Sequence, residues 1–333
     1  MEIVLRRVRH DDMPTIVRIS SDIWDGSDYV PAIAQDWIND EKGIFIAAEV
    51  EGLLRGFGKL TLQGPDCGWC EGLRVDSHFR GKGTARAIAI ALIETARSAG
   101  LRTLRFATSV DNIESIHLNE SLGFRRISGF RYLSIEGLRE MEEAQARAAS
   151  LAGGVQAVQV SARREADCAA LIARIAGSSF VAKAGAMLPW GFMFEPATRG
   201  SISTSIAEGA LFAAGGDRAH PEALLLLQPS HEAPRNDPNP TQLCIRFMEG
   251  SGCAGLAALS AGIRHAMEHG ARGIEASVPV DPELMRLLHE GGFKDWWEEL
   301  APSAPTVLLY DYPQEMLRNE SGSDAPVVQT SCM

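Results

Sequence analysis

The run Val75-Asp-Ser-His-Phe-Arg80-Gly-Lys-Gly83-Thr-Ala85 has the composition of an anion-binding loop set between a strand and an alanine-rich helix. Successive backbone N–H groups at a helix start form a positive nest at the end of the helix dipole. Glycines let a bound phosphate approach the main chain closely, and Arg80 adds a fixed charge beside it. A Walker A loop needs Gly-Lys followed by Ser or Thr, whereas this chain has Gly-Lys-Gly. A dinucleotide fingerprint needs a loop earlier in its domain and an acid about twenty residues further on. The residues alone therefore point to a phosphate or pyrophosphate loop, with a tight turn before a core helix as the alternative.

A second run follows, Asn112-Ile-Glu-Ser115-Ile-His-Leu118-Asn119-Glu-Ser-Leu-Gly123-Phe124. In order and spacing, the two runs resemble the paired signatures of the GNAT superfamily of N-acetyltransferases, R/Q-x-x-G-x-G/A and N-x-x-A/S…G-F. The resemblance covers residues 1–135 and implies acetyl-CoA as co-substrate, with no metal. It implies that amides around Gly81, Lys82, Gly83, Thr84 and Ala85 hold the pyrophosphate, with Arg80 beside them. It further implies that the strand backbone at Leu73 and Val75 pairs with the pantetheine arm, with Asn112 and Ser115 contacting it from the opposite side. In this fold a gap between the strands ending near Val75 and Thr108 admits the thioester. A narrower likeness rests on Asp25-Gly-Ser-Asp28-Tyr29-Val-Pro31, Trp37 and Glu71-Gly-Leu-Arg-Val75. These resemble the histidine N-acetyltransferase-like subgroup, which implies a free amino acid, histidine among them, as acceptor.

An amine must lose its proton to attack a thioester, so a general base is expected. Glu71, four residues before Val75 on the strand that leads to the loop, is the candidate; a strand-edge glutamate in a surface ion pair is its plain alternative. The Val75 amide is the oxyanion donor that the resemblance implies. Where the family usually has a tyrosine on the second-motif helix, this chain has Asn119, which can hydrogen-bond a sulfur but cannot act as an acid. Trp24, Asp25, Asp28, Tyr29 and Trp37 fall in the helical region that, by the resemblance, covers the acceptor. Aromatics and carboxylates there suit a cationic amine, or serve as packing and caps.

These residues need elements to position them. Periodicity and turn signals give β-α-α-β-β-β-α-β-α-β for residues 1–135, a mixed α/β order. Residues 136–153, rich in Glu, Ala and Arg, read as a solvated helical linker. The second half echoes the first: Gly100-Leu-Arg-Thr leads to Gly123-Phe124 as Gly270-Ala-Arg-Gly leads to Gly292-Phe293. This predicts a degenerate second GNAT-like domain over 154–313, packed as a pseudo-dimer within one chain, and a disordered tail over 314–333. In it Gly250-Ser-Gly252-Cys253-Ala-Gly255 takes the loop's place, Gly250 matching Arg80 and Cys253 matching Gly83. Asp281-Pro282 replaces Asn112, better suited to capping a helix than to holding pantetheine.

The chain has 333 residues and a net charge of −11. That balance argues against a nucleic-acid partner, which needs a clustered basic surface. No apolar run suits a membrane span or a signal peptide, so a cytoplasmic location is expected. Cys67-Gly-Trp-Cys70 lacks a second pair for zinc and the helix start of a redox motif, and reads as free thiols. The expectation is thus an N-acetyltransferase for a small-molecule amine. The alternatives are a non-enzymatic acetyl-CoA sensor and a protein N-acetyltransferase.

Overall fold

The computed structural model describes residues 2–26, 28–160, 165–217, 220–232 and 241–318. The tail expected over 314–333 lies outside them from Asn319 onward, and its first residues, Gln314–Arg318, form a helix instead. The chain forms two compact units, residues 1–127 together with the segment from Leu309, and residues 128–308.

The first unit follows the expected order: β1 (Val4–Arg7), α1 (Met13–Ser20), α2 (Val30–Ile38), β2 (Ile44–Val50), β3 (Leu53–Leu62), β4 (Cys67–Val75), α3 (Thr84–Ser98), β5 (Thr103–Ser109), α4 (Ile113–Ser121) and the start of β6 (Arg125–Glu136). Glu51 and Gly52 join β2 to β3 with φ of 55° and 73°, the two left-handed residues that match a hairpin turn to strand twist. On one face of the sheet, α1 and α2 bury Ile16, Ile19, Val30, Ile33, Ala34 and Trp37 against Phe45 and Phe57. On the other, α3 buries Ile88, Leu92 and Ala96, a stripe at helical spacing.

The second unit contains the rest of β6, then α5 (Leu138–Leu151), β7 (Ala157–Gln159), α6 (Glu165–Ala176), α7 (Ser179–Lys183), β8 (Met187–Trp190), β9 (Met193–Pro196), α8 (Arg199–Glu208), β10 (Ala210–Ala214), β11 (Ala223–Pro229), β12 (Gln242–Glu249), α9 (Gly252–Glu268), β13 (Gly273–Pro279), α10 (Pro282–Glu290) and β14 (Lys294–Asp295). Its strands run in the order β6-β13-β12-β11-β10-β7, with β8 and β9 as a separate hairpin. The chain ends its described course in β15 (Val307–Tyr312) and α11 (Gln314–Arg318). From Leu309 this segment belongs to the first unit, where β15 lies beside β5.

Residues 309–313, expected in the second domain, thus belong to the first unit, and two further expectations meet a different structure. The boundary at 135 falls inside β6. The helix at 138–151 is no solvated connector: Met141, Ala144 and Ala148 are buried in the core of the second unit, and the Gln145 amide donates to Ser260 Oγ at 3.0 Å. Two small alanines one turn apart let α5 pack closely on α9, burial that a hydrophobicity count understates. Among the described residues no helix is long and apolar enough to cross a membrane.

Candidate active site

The floor of the site is a break in strand pairing. β4 and β5 run parallel, yet only Cys67–Trp69 pair with Thr103–Arg105. Cys70–Val75 continue along β3 and part from Phe106–Ser109. The strands therefore separate toward their C-terminal ends, where open sheets admit ligands.

β4 also carries a bulge. Phe57 opposes Arg74 and Lys59 opposes Glu71, so Gly58 faces two residues, Gly72 and Leu73. Gly72 has φ 62°, and a Cβ there would come within 2.5 Å of the Trp37 ring. Backbone and packing both require glycine at this position. Directly opposed residues share a sheet face, so Glu71 and Arg74 lie on the face of Phe57 and Lys59, which α1 and α2 cover. Leu73 turns to the other face, where it, Ile88 and Leu92 all come within 4 Å of where a Cβ on Gly58 would stand.

Beyond Val75 the chain makes one 3-10 turn, Ser77–Phe79, capped by Asp76, whose carboxylate accepts from the His78 amide at 3.1 Å. Asp76 is buried and also receives Arg18 at 3.0 Å and Arg55 at 3.3 Å. Burial alone would raise its pKa, but the Arg18 and His78 hydrogen bonds hold it below the ordinary value. Phe79 lies between cations, with Arg55 4.2 Å and Lys82 Nζ 4.7 Å from its ring centre. Gly81 and Gly83 are left-handed, at φ 71° and 86°, and a Cβ on either would meet nothing within 4 Å. The space above the loop is thus open. Gly83 is the N-cap of α3 and no side chain caps that helix, so its first-turn amides are available to an anionic ligand. Arg80, Gly81 and Lys82 are exposed around them, Ala85 is half-buried, and Thr84 is buried with no hydrogen-bond partner for its Oγ1. A pyrophosphate fits this cradle.

The second motif forms one hydrogen-bonded set. Asn112 caps α4 by accepting from the Ser115 amide at 3.2 Å, and Asn119 Nδ2 donates to the Ser115 carbonyl at 2.9 Å. Asn119 is buried, and this bond ties its amide to its own helix.

On the acceptor side, Thr61 Oγ1 donates to Glu71 Oε1. Asp28 is bound by Arg74 in a two-pronged pair, Nε to Oδ2 at 3.0 Å and Nη2 to Oδ1 at 2.9 Å. The carboxylate expected to meet a cationic acceptor thus already holds a guanidinium. Arg74 also lies 4.9 Å from the Trp24 ring centre and 5.7 Å from that of Tyr29, and the two rings stack 6.5 Å apart. Trp37 meets Tyr29 edge-on and packs over Gly72. Arg74 and Asp76 were missed in the sequence. A signal was present for Arg74, a charge on a largely apolar strand, which needs a partner of opposite sign; Asp76, followed by Ser77, His78 and Arg80, carried none.

The second unit repeats the break. Gln242–Ile245 pair with Gly273–Ala276 and pairing stops there. Matching the pairs places Arg246 where the first unit has Glu71. Arg246 is fully buried, donates to the Pro189 carbonyl at 2.8 Å and lies 4.5 Å from the Trp190 ring centre. The β8–β9 hairpin thus lies against the face of β12 that corresponds to the Glu71 face of β4. Between β12 and α9 stand only residues 250 and 251, against residues 76–83 in the first unit.

The acetyltransferase (GNAT) family model matches residues 10–124. No curated protein matches the chain. A tandem GNAT protein from the clavulanic acid biosynthesis pathway is 13% identical with a TM-score of 0.61, over 97% of this chain and 100% of that one. A GCN5-related N-acetyltransferase from Sphaerobacter thermophilus is 15% identical with a TM-score of 0.60, over 93% of this chain and 95% of that one. At such identities the likeness speaks for the fold, and the family match speaks for the first unit. The chain therefore carries, in residues 10–124, an acetyltransferase domain of the GNAT family, within a fold like that of tandem GNAT proteins.

Proposed function

We propose that the protein transfers acetyl from acetyl-CoA to the amine of a small molecule, with free amino acids, histidine among them, as the first acceptor class to test. The observation that carries this reading is the separation of β4 from β5 beside an open, uncapped helix start. Backbone amides from Gly81 to Ala85 would hold the pyrophosphate, with Arg80 and Lys82 adding charge at the rim. The backbone at Leu73 and Val75 would line the pantetheine arm, opposite Asn112 and Ser115. Acetyl-CoA supplies the activated acyl group.

The remaining work falls to the chain. Glu71 lies on the face covered by α1 and α2 and is held by Thr61, and it takes the proton from the acceptor ammonium, directly or through water. The Val75 amide donates to the acyl oxygen as charge builds there. Asn119 steadies α4 at Ser115 and offers no acidic proton. The leaving thiolate is protonated by water or by a hydroxyl such as that of Tyr29. Trp24 and Tyr29 form the aromatic wall of the acceptor side.

The test is thiol release from acetyl-CoA in the presence of each of the twenty amino acids, spermidine and a short peptide. Turnover with one or a few free amines supports the reading. Turnover with the peptide alone moves the acceptor to protein amines. Tight acetyl-CoA binding without release for any amine would favour a sensor.

A further inference from the structure

We infer that Asp28 and Arg74 are a positioning pair that fixes the acceptor side of the site without touching the acceptor, an inference that rests on the acetyl-transfer reading. Three polar contacts bind α1 and the segment after it to the end of β4 and the turn that follows. Arg18 reaches Asp76 at 3.0 Å, Ser77 Oγ reaches Asp22 at 3.2 Å, and Arg74 grips Asp28 with two bonds. The Ser77–Asp22 bond is exposed and holds little, and Arg18–Asp76 is a single bond from a side chain 53% exposed to a buried carboxylate that Arg55 shares. The Asp28 side chain is 1% exposed and that of Arg74 13%. A desolvated two-pronged pair therefore dominates.

The held segment has reason to move. Trp24 has φ 45°, left-handed for a residue with a Cβ, and the residue is 59% exposed. Such a conformation persists only where its surroundings impose it. What imposes it is Arg74, 4.9 Å beneath the indole, together with the stacked Tyr29. Arg74 reaches this segment because the Gly72 bulge turns it to the same face as Glu71. The aromatic wall and the proposed base are thus set from one strand, three residues apart. Asp28 is too buried to meet an acceptor, so it acts through Arg74.

The test is a double-mutant cycle on the full chain with Asp28→Asn, Arg74→Met and both together, plus Arg74→Lys, which keeps the charge and loses the fork. The probe is whichever of the twenty amino acids or spermidine the wild type acetylates fastest. A positioning pair predicts that each single variant lowers kcat/KM for that amine roughly 10- to 100-fold, as misplacement near a reacting centre does. KM for acetyl-CoA should stay within about threefold, Arg74→Lys should fall between, and the double variant should be no worse than either single one. Multiplying losses in the double variant, or a matching rise in KM for acetyl-CoA, would overturn the inference. Where the wild type acetylates none of these amines, the small-molecule reading fails and hydrogen exchange decides the pair by itself. Amides of residues 22–29 should then exchange roughly tenfold faster or more in Asp28→Asn, with β3 and β4 unchanged. Unchanged exchange in that segment, or equal acceleration everywhere, would count against it.

Discussion

Glu71 shares a face with Arg74 only because Gly72 inserts an extra residue at φ 62°. Plain alternation would have put residue 71 with 73 and 75, opposite to residue 74. The consequence for chemistry is a carboxylate on the acceptor side, while the backbone of Leu73 and Val75 stays beside the gap. Replacement of Glu71 by Gln keeps the shape and an acceptor for Thr61, but removes the base. Turnover of the preferred amine should fall about 100- to 10,000-fold in kcat, and the residual rate should rise with pH as solvent takes over the proton. KM for acetyl-CoA should be unchanged. Steady-state kinetics between pH 6 and 9 check this, and an unaltered pH profile would remove Glu71 from the mechanism. The loop's shape was the legible part of this region, because glycines and an arginine before a helix announce an open turn at a helix start. Arg74 was not, because its partner Asp28 is 46 residues away and the bulge that brings them together lies in the register of two strands.

At the scale of elements, helix α2 is tied to the sheet at its far end as well. Lys59, on β3 opposite Glu71, is fully buried, and its Nζ meets Asp40 at 2.5 Å and the Leu60 carbonyl at 2.9 Å. Burial would raise the Asp40 pKa, but Lys59 and the amides of Gly43 and Lys42 hold it below the ordinary value. Stabilisation from Asp40 is therefore complete above its unfolded pKa, about 3.9, and is lost as pH falls through the lower folded value. Asp40→Asn should lower stability by about 3 kcal/mol at pH 7, the low end for breaking a buried pair. The deficit should narrow below about pH 4, where the wild type loses the same contribution. Urea denaturation at pH 7 and at pH 3 reads both arms; an equal deficit at the two values would show that the ion pair is not the cause. The strands and helices of residues 1–135 could be read in order from the sequence because each keeps one period and ends at a turn signal. Helix α5 was misread for the opposite reason. Its buried stripe is Met141, Ala144 and Ala148, and alanine looks the same on a solvated helix as on a packed one.

For the molecule as a whole, the acetyltransferase unit is closed by the end of the chain. Tyr310 stacks on Phe106 with ring centres 4.9 Å apart and donates to Glu120 at 2.9 Å, Asp311 pairs with Arg105 at 2.9 Å, and Tyr312 meets Phe124 at 5.0 Å. No local pattern announces that a strand about 200 residues later completes a sheet, so this part of the fold was out of reach of the sequence. The duplication was within reach, and it raises the question of how many acetyl-CoA molecules one chain holds. The second unit has the strand break and an uncapped helix start at Ser251, but a far shorter loop before it. A buried Arg246 replaces Glu71, and two residues stand where the first unit has its loop. The cavity of about 290 Å³ at the end of β12 is lined by Glu222, Glu249, Asp281 and Glu283 besides Lys183. Lys183 pairs with Asp281, and carboxylates on these walls repel a pyrophosphate at short range. Calorimetric titration of the full chain should therefore find one acetyl-CoA per chain. Gly83→Val, which forces a β-branched residue into the left-handed turn at φ 86°, should abolish that binding altogether. A stoichiometry of two, or binding that survives in the variant, would mean that the second unit holds acetyl-CoA in spite of its walls.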